Sequence, residues 1–133
     1  MTDSAYDSGM QVRREVLGNA WVDRASDNAT AFTQDFQDFI TRYAWGGVWT
    51  RDGLDRKVRS AITLMALIAL GETEELQMHI TAARRVGLSR AEIKEILLHA
   101  AIYCGVPAAN QAFAVAEAAM DQFDCGEPHH AAH

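Results

Sequence analysis

Only two prolines, Pro107 and Pro128, interrupt the 133 residues, and this near-absence of helix breakers decides most of what the chain can become. Apolar residues recur at three- and four-residue spacings almost throughout, whereas the strict alternation of a half-buried strand is hard to find. The expected fold is all-α. Apolar residues make up 49% of the sequence, with alanine prominent. That composition suits closely packed helices and leaves apolar faces for a second copy to cover. At this length one domain over 1–133 is expected, with its core at about 6–122 and a disordered tail over 124–133.

Six helices are expected. The first spans about Tyr6 to Ala25, with Val12, Val16 and Ala20 on one face. The second starts near Ala31, carries the stripe Phe32, Phe36, Phe39, Ile40 and Tyr43, and stops at Trp45-Gly46-Gly47. The third follows Asp52-Gly53, with Asp52 as its cap and Leu54, Val58, Ala61, Ile62, Met65 and Ala69 inward, and Gly71 closes it. The fourth covers about Glu72 to Val86 and ends at Gly87. Ser89 and Glu92 then form a capping box for the fifth, which buries Ile93, Ile96, Leu97, Ala100, Ala101 and Cys104. Gly105 ends it, Pro107 suits the first turn of the sixth, and Phe113, Ala116 and Met120 lie on the inner face of that last helix.

Eighteen acidic and 12 basic side chains give a formal net charge of −6. Such a surface repels phosphate backbones, so nucleic acid is not an expected partner. Cys104 and Cys125 are too few for a disulfide framework and fit free thiols in a cytoplasmic protein. Met1 to Gly9 lacks the apolar stretch of a signal peptide, and the longest apolar run, Ile62 to Leu70, falls short of a membrane span.

Four groups of side chains can carry chemistry. Glu72, Glu75 and His79 lie at i, i+3 and i+7 on one helical face. A carboxylate one turn before a histidine can fix its tautomer and raise its pKa, as a proton donor near neutral pH needs. A surface stripe explains the same spacing. Arg56 and Arg59, and Arg13, Arg14 and Arg24, stand beside apolar positions and can bind a dianion or pair with Asp23 and Asp55. All basic residues except Lys57 and Lys94 are arginines, which grip carboxylates bidentately. His99 with Tyr103, and Trp45 with Trp49, fit core packing as well as a pocket. No metal site is expected, because Glu75 and His79 offer two ligands and His129, His130 and His133 lie in the tail.

The stretches Gly9–Gly18, Val22–Ala25, Tyr43–Gly46, Trp49–Ser60, Glu75–His79 and Ile102–Asn110 resemble, in this order, the gamma-carboxymuconolactone decarboxylase family. The resemblance covers roughly Tyr6 to Gln122. The wider alkylhydroperoxidase-like superfamily carries a Cys-x-x-Cys-x-x-x-His redox motif where this chain reads Glu72-x-x-Glu75-x-x-x-His79. With both thiols absent, a peroxidase disulfide cycle cannot run.

The resemblance implies an alkylhydroperoxidase-like helical subunit in a homo-oligomeric ring, a hexamer. It also implies cofactor-independent decarboxylation of 4-carboxymuconolactone to 3-oxoadipate enol-lactone, in the protocatechuate branch of the β-ketoadipate pathway. A related lactone, as substrate of a decarboxylase or isomerase, and a non-catalytic role are the alternatives. On this reading His79 is the proton donor or oxyanion partner, oriented by Glu75. Arg56 or Arg59, with Arg13 or Arg14 of a neighbouring subunit, holds the acetate carboxylate, and Tyr43 and Trp45 line an apolar wall. No cofactor is expected, because the unsaturated lactone is its own electron sink.

Overall fold

The computed structural model describes residues 3–126, so the His-rich end, including the greater part of the expected tail, lies outside the described residues. The described part is all-helical, with seven α-helices and one π-helical turn where six helices were expected. The residues up to Asp55 form one compact unit and those from Arg56 a second.

In the first unit, α1 spans Ser4–Leu17, α2 Asn19–Asn28 and α3 Gln34–Ile40, and the π turn spans Thr41–Trp45. Asp3 caps α1 by accepting the Tyr6 N–H at 3.1 Å. The single helix expected over 6–25 breaks at Gly18, whose φ of 90° and ψ of 149° suit glycine. Its N–H still bonds the Arg14 carbonyl at 2.8 Å, so α1 finishes cleanly before α2 restarts. Val12, Val16, Leu17 and Val22 are buried, whereas Ala20 is exposed.

The second expected helix starts later than the sequence predicts. α3 begins three residues after Ala31, Phe32 precedes it and is 94% exposed, and Phe36, Phe39 and Tyr43 are exposed as well. The aromatic stripe keeps its helical spacing, but among the described residues nothing covers it.

The π turn explains the packing of α1. Gly46 donates its N–H five residues back to the Thr41 carbonyl at 2.9 Å, and Trp49 does the same to Ala44 at 3.0 Å. A Cβ on Gly9 would stand 2.7 Å from Gly46 N and closer still to the Thr41 carbonyl oxygen. A Cβ on Gly46 would stand 2.6 Å from the Arg42 carbonyl oxygen and closer still to that of Ala5. The two backbones therefore touch directly, and glycine is required on both sides. Asp3 accepts from Arg42 Nε and Nη2 at 2.8 and 2.6 Å, tying the start of α1 to the turn.

The second unit consists of α4 (Arg56–Leu70), α5 (Thr73–Arg85), α6 (Arg90–Tyr103) and α7 (Val106–Asp124). Positive-φ glycines at 71, 87 and 105 end successive helices, as the sequence predicts. The capping box also forms: Glu92 N–H bonds Ser89 Oγ at 3.0 Å, and Ser89 N–H bonds Glu92 Oε1 at 2.9 Å. Leu64, Ile80, Ile93 and Leu97 are fully buried among Leu76, Leu88 and the alanines of α7. Each such large side chain contributes about 1.5–3 kcal/mol on removal from water.

The buried face of α4 is Ser60, Leu64 and Ile68, and of the expected stripe Met65 packs against this core. Val58 and Ile62 are 42% and 54% exposed, and Leu54 lies ahead of the helix, which starts at Arg56 rather than after Asp52. Phe113 on α7 is likewise half-exposed, while Ala112, Ala116, Ala119 and Met120 are buried.

Candidate active site

α4 and α5 pack as an antiparallel pair joined at Gly71–Glu72. The Lys57 side chain lies 3.0 Å from where a Gly87 Cβ would stand, which fixes their register. Arg56 and Arg59 therefore stand at the open end of the pair, Glu75 stands near the connection, and His79 lies between them along the helices. Both arginines are half-buried, and the Arg59 carbonyl accepts the Thr63 hydroxyl at 2.8 Å.

His79 is the most perturbed group of the site. Its Nδ1 is buried without a hydrogen-bond partner, while Nε2 is not enclosed in this way. Burial pushes its pKa down from 6.5 to about 4. The ring is thus neutral at physiological pH. A buried, unmade N–H donor is the rarer defect compared with an under-used acceptor, so the proton belongs on Nε2.

The expected Glu75–His79 pair is not made: no hydrogen bond or ion pair joins the two among the described residues, and the histidine's pKa falls rather than rises. Desolvation of the ring has no carboxylate contact to offset it. Glu75, in the first turn of α5, has its own carboxyl pushed up by partial burial and then by Glu72 and Glu74.

This burial carries a pH dependence of stability. The unfolded chain takes up a proton on His79 near pH 6.5, and the folded chain only near 4, so stability is full above 6.5 and is lost as pH falls towards 4. The loss amounts to at most about 3 kcal/mol. Thermal melts between pH 7.5 and 4.5 are expected to show a shallower acid decline for His79→Gln than for the parent protein; identical slopes would mean that the ring is not buried neutral.

The other arginine and aromatic candidates lie in the first unit. Arg13 is 5% exposed, and its Nη1 and Nη2 donate to Thr41 Oγ1 at 3.1 Å and Gln37 Oε1 at 3.0 Å. Arg14 instead pairs with Asp23 at 2.8 Å. Trp45 is buried and packs on Trp49 with ring centroids 5.0 Å apart, which is core packing. Tyr43 is exposed and packs on Phe39 at 5.0 Å. Gln37 and Thr41 escaped the sequence reading because they lie 24 and 28 residues from the arginine they hold.

His99 and Tyr103 stack at 4.8 Å on α6, but on its exposed side rather than in the core. Cys104 is half-buried with its thiol 3.6 Å from Met65 Sδ, and Cys125 is exposed. Among the described residues no group of three or more His, Cys, Asp or Glu could hold a metal ion, and no helix is long and apolar enough to cross a membrane.

Comparison with known proteins places this helical arrangement. The model of the carboxymuconolactone decarboxylase family matches residues 34–118. The chain is 47% identical over 115 residues to a 4-carboxymuconolactone decarboxylase of Acinetobacter baylyi, covering 86% of each chain. It is 45% identical over 123 residues to a nitrosuccinic acid decarboxylase of Metarhizium robertsii, covering 92% of this chain and 86% of that one. Over 41 residues it is 56% identical to a 4-carboxymuconolactone decarboxylase of Pseudomonas putida, covering 31% of this chain and 85% of that sequence. On the breadth of these matches, this chain belongs to the carboxymuconolactone decarboxylase family.

Proposed function

We propose that the chain decarboxylates 4-carboxymuconolactone to 3-oxoadipate enol-lactone and carbon dioxide without a cofactor, as a step of protocatechuate breakdown by the β-ketoadipate route in the cytoplasm. The observation that carries this is the likeness, over most of the chain, to a decarboxylase named for that lactone. The likeness to a nitrosuccinic acid decarboxylase supports the same chemistry on a second skeleton. In both molecules the departing carboxylate sits on a carbon that is joined to an electron sink, directly or through a double bond, and that carries a CH2-carboxylate arm. In the lactone the sink is the conjugated carbonyl, and in the nitro acid it is the nitro group.

The bond from the γ carbon to the departing carboxylate breaks, and its electron pair passes through the ring double bond to the lactone carbonyl oxygen. A proton then adds to the ring carbon next to that carbonyl, giving the enol-lactone. His79, neutral at working pH, donates Nε2–H to the developing oxyanion. A neutral imidazole gives up its proton only as an imidazolate, so this ring stabilises charge rather than supplying the proton. Glu75, whose carboxyl is pushed up by partial burial and by Glu72 and Glu74, is assigned as the proton carrier. Arg56 or Arg59, with Arg13 or Arg14 of a neighbouring subunit, holds the arm carboxylate that stays. Tyr43 is assigned to the apolar wall, since the departing carboxylate leaves most readily where it is poorly solvated, whereas Trp45, buried against Trp49, belongs to the core.

The active form is proposed to be a homo-oligomeric ring, a hexamer. The supporting observation is the exposed stripe Phe32, Phe36, Phe39 and Tyr43, together with Val58, Ile62 and Ile102.

The test is an ultraviolet and carbon dioxide assay of chelator-treated protein, run side by side with 4-carboxymuconolactone, muconolactone lacking the extra carboxyl, and 2-nitrosuccinate. Rapid turnover of the first, none of the second, and a ring-sized particle in sedimentation are expected. Turnover of 2-nitrosuccinate alone would move the substrate to the nitro acid, and turnover of neither acid by a folded oligomer would sink the reading.

A further inference from the structure

We propose that Arg13 is a preformed carboxylate-binding group, seated by Gln37 and Thr41 as positioning residues, that grips the carboxylate a dicarboxylic substrate retains. This rests on the reading that the chain handles a dicarboxylate, and it narrows the arginine candidates to one.

The first argument is unbalanced charge. Arg14, Arg42, Arg84 and Arg90 each pair with an aspartate. Arg13 is more deeply buried than these, yet its hydrogen-bond partners are a hydroxyl and an amide, both neutral. Its Nε has no partner at all. Desolvation disfavours the charged guanidinium, Tyr6 offsets this in part, and Arg14 adds repulsion. A buried cation left with neutral acceptors is costly unless an anion completes it.

The second argument is preorganisation. Thr41 donates its own hydroxyl hydrogen to the Gln37 carbonyl at 2.8 Å, so its lone pairs are turned to receive Arg13. Thr41 and Gln37 themselves sit at the junction of α3 with the π turn, a local distortion often found at functional sites. The bonds to Thr41 and Gln37 each use one N–H on a different terminal nitrogen, which leaves one free donor on each for a carboxylate fork. A methylene-linked carboxylate is the chemical class that fits, because it remains ionised through the reaction and gains nothing from a solvated site.

Succinate, which carries the shared carboxylate–CH2 arm, serves as the probe, with its mono-amide as control, both measured by calorimetry on the intact protein at fixed ionic strength. The parent protein is expected to prefer succinate by about tenfold or more. Arg13→Met should abolish that preference, and Thr41→Val and Gln37→Leu should weaken it roughly tenfold while raising KM far more than they lower kcat. Added guanidinium ion should partly restore Arg13→Ala. If Arg13→Met does not fold, Arg13→Lys keeps the charge and should fold with the fork lost and affinity reduced.

A folded Arg13→Met or Arg13→Lys that keeps full preference for succinate overturns the proposal. So does dissociation of the oligomer by Arg13→Met with succinate binding intact in Gln37→Leu, since the carboxylate would then belong to another copy. Absence of lactone turnover with the succinate preference intact would count against the substrate, not against Arg13.

Discussion

Gly9→Ala is expected to lower the stability of the protein by at least about 3 kcal/mol, a fall of roughly 10 °C or more in melting temperature for a chain of this length. The new methyl would stand 2.7 Å from Gly46 N and closer still to the Thr41 carbonyl oxygen, and both are backbone atoms that cannot rotate aside. Ordinary overpacking costs about 1–3 kcal/mol because side chains can yield. Here α1 must lift from the π turn, or the turn must lose the bond from Gly46 N–H to Thr41. Either movement also disturbs the seat of Arg13 on Thr41. Gly53→Ala is the control, since a Cβ there meets nothing within 4 Å and the backbone is not in the left-handed region. Equal melting temperatures for the two variants would mean that α1 does not lie against the turn as described.

What the sequence showed and what it hid divide along the range of the interactions. The Ser89–Glu92 capping box was legible because both partners lie within one turn and their chemistry is specific. The glycine stops at 71, 87 and 105 were legible for the same reason. Gly18 was passed over because Val12, Val16 and Ala20 carry a helical stripe straight across it, and a lone glycine is a weaker signal than periodicity. On α4 two overlapping apolar stripes exist, and only the packing of α5 selects Leu64 and Ile68 over Val58 and Ile62. The phenylalanine stripe was legible as one helical face, but its exposure was not, because one chain's periodicity cannot say what covers it.

The candidate site divides in the same way. His79 stood out by its place in the Glu72-x-x-Glu75-x-x-x-His79 frame, but its protonation state did not. An i, i+4 carboxylate predicts a raised pKa only if the two groups touch, whereas burial of Nδ1 acts on the ring whatever the spacing. The seat of Arg13 is beyond any local pattern, since a glutamine and a threonine have no signature as holders of a distant arginine.

Replacement of His79 tests the chemistry itself. His79→Ala is expected to lower kcat by about 100- to 1000-fold, the usual cost of removing one oxyanion donor, with sedimentation unchanged. The pH profile separates two roles for the same residue. An imidazolium acid would lose activity as pH rises through its pKa, because the working form is the protonated one. A neutral donor behaves oppositely: activity is lost only as pH falls towards about 4, where the ring takes up a proton, and is flat above in respect of this group. A limb belonging to Glu75 can overlie the acid side, so the comparison is made against Glu75→Gln. His79→Gln retains an N–H donor on a side chain of similar reach and should recover part of what His79→Ala loses. Near-parental turnover by a folded His79→Ala removes the residue from the mechanism. A profile that declines between pH 6 and 8 in the parent, but not in His79→Gln, would restore the imidazolium acid and require Nδ1 to find a partner when substrate binds.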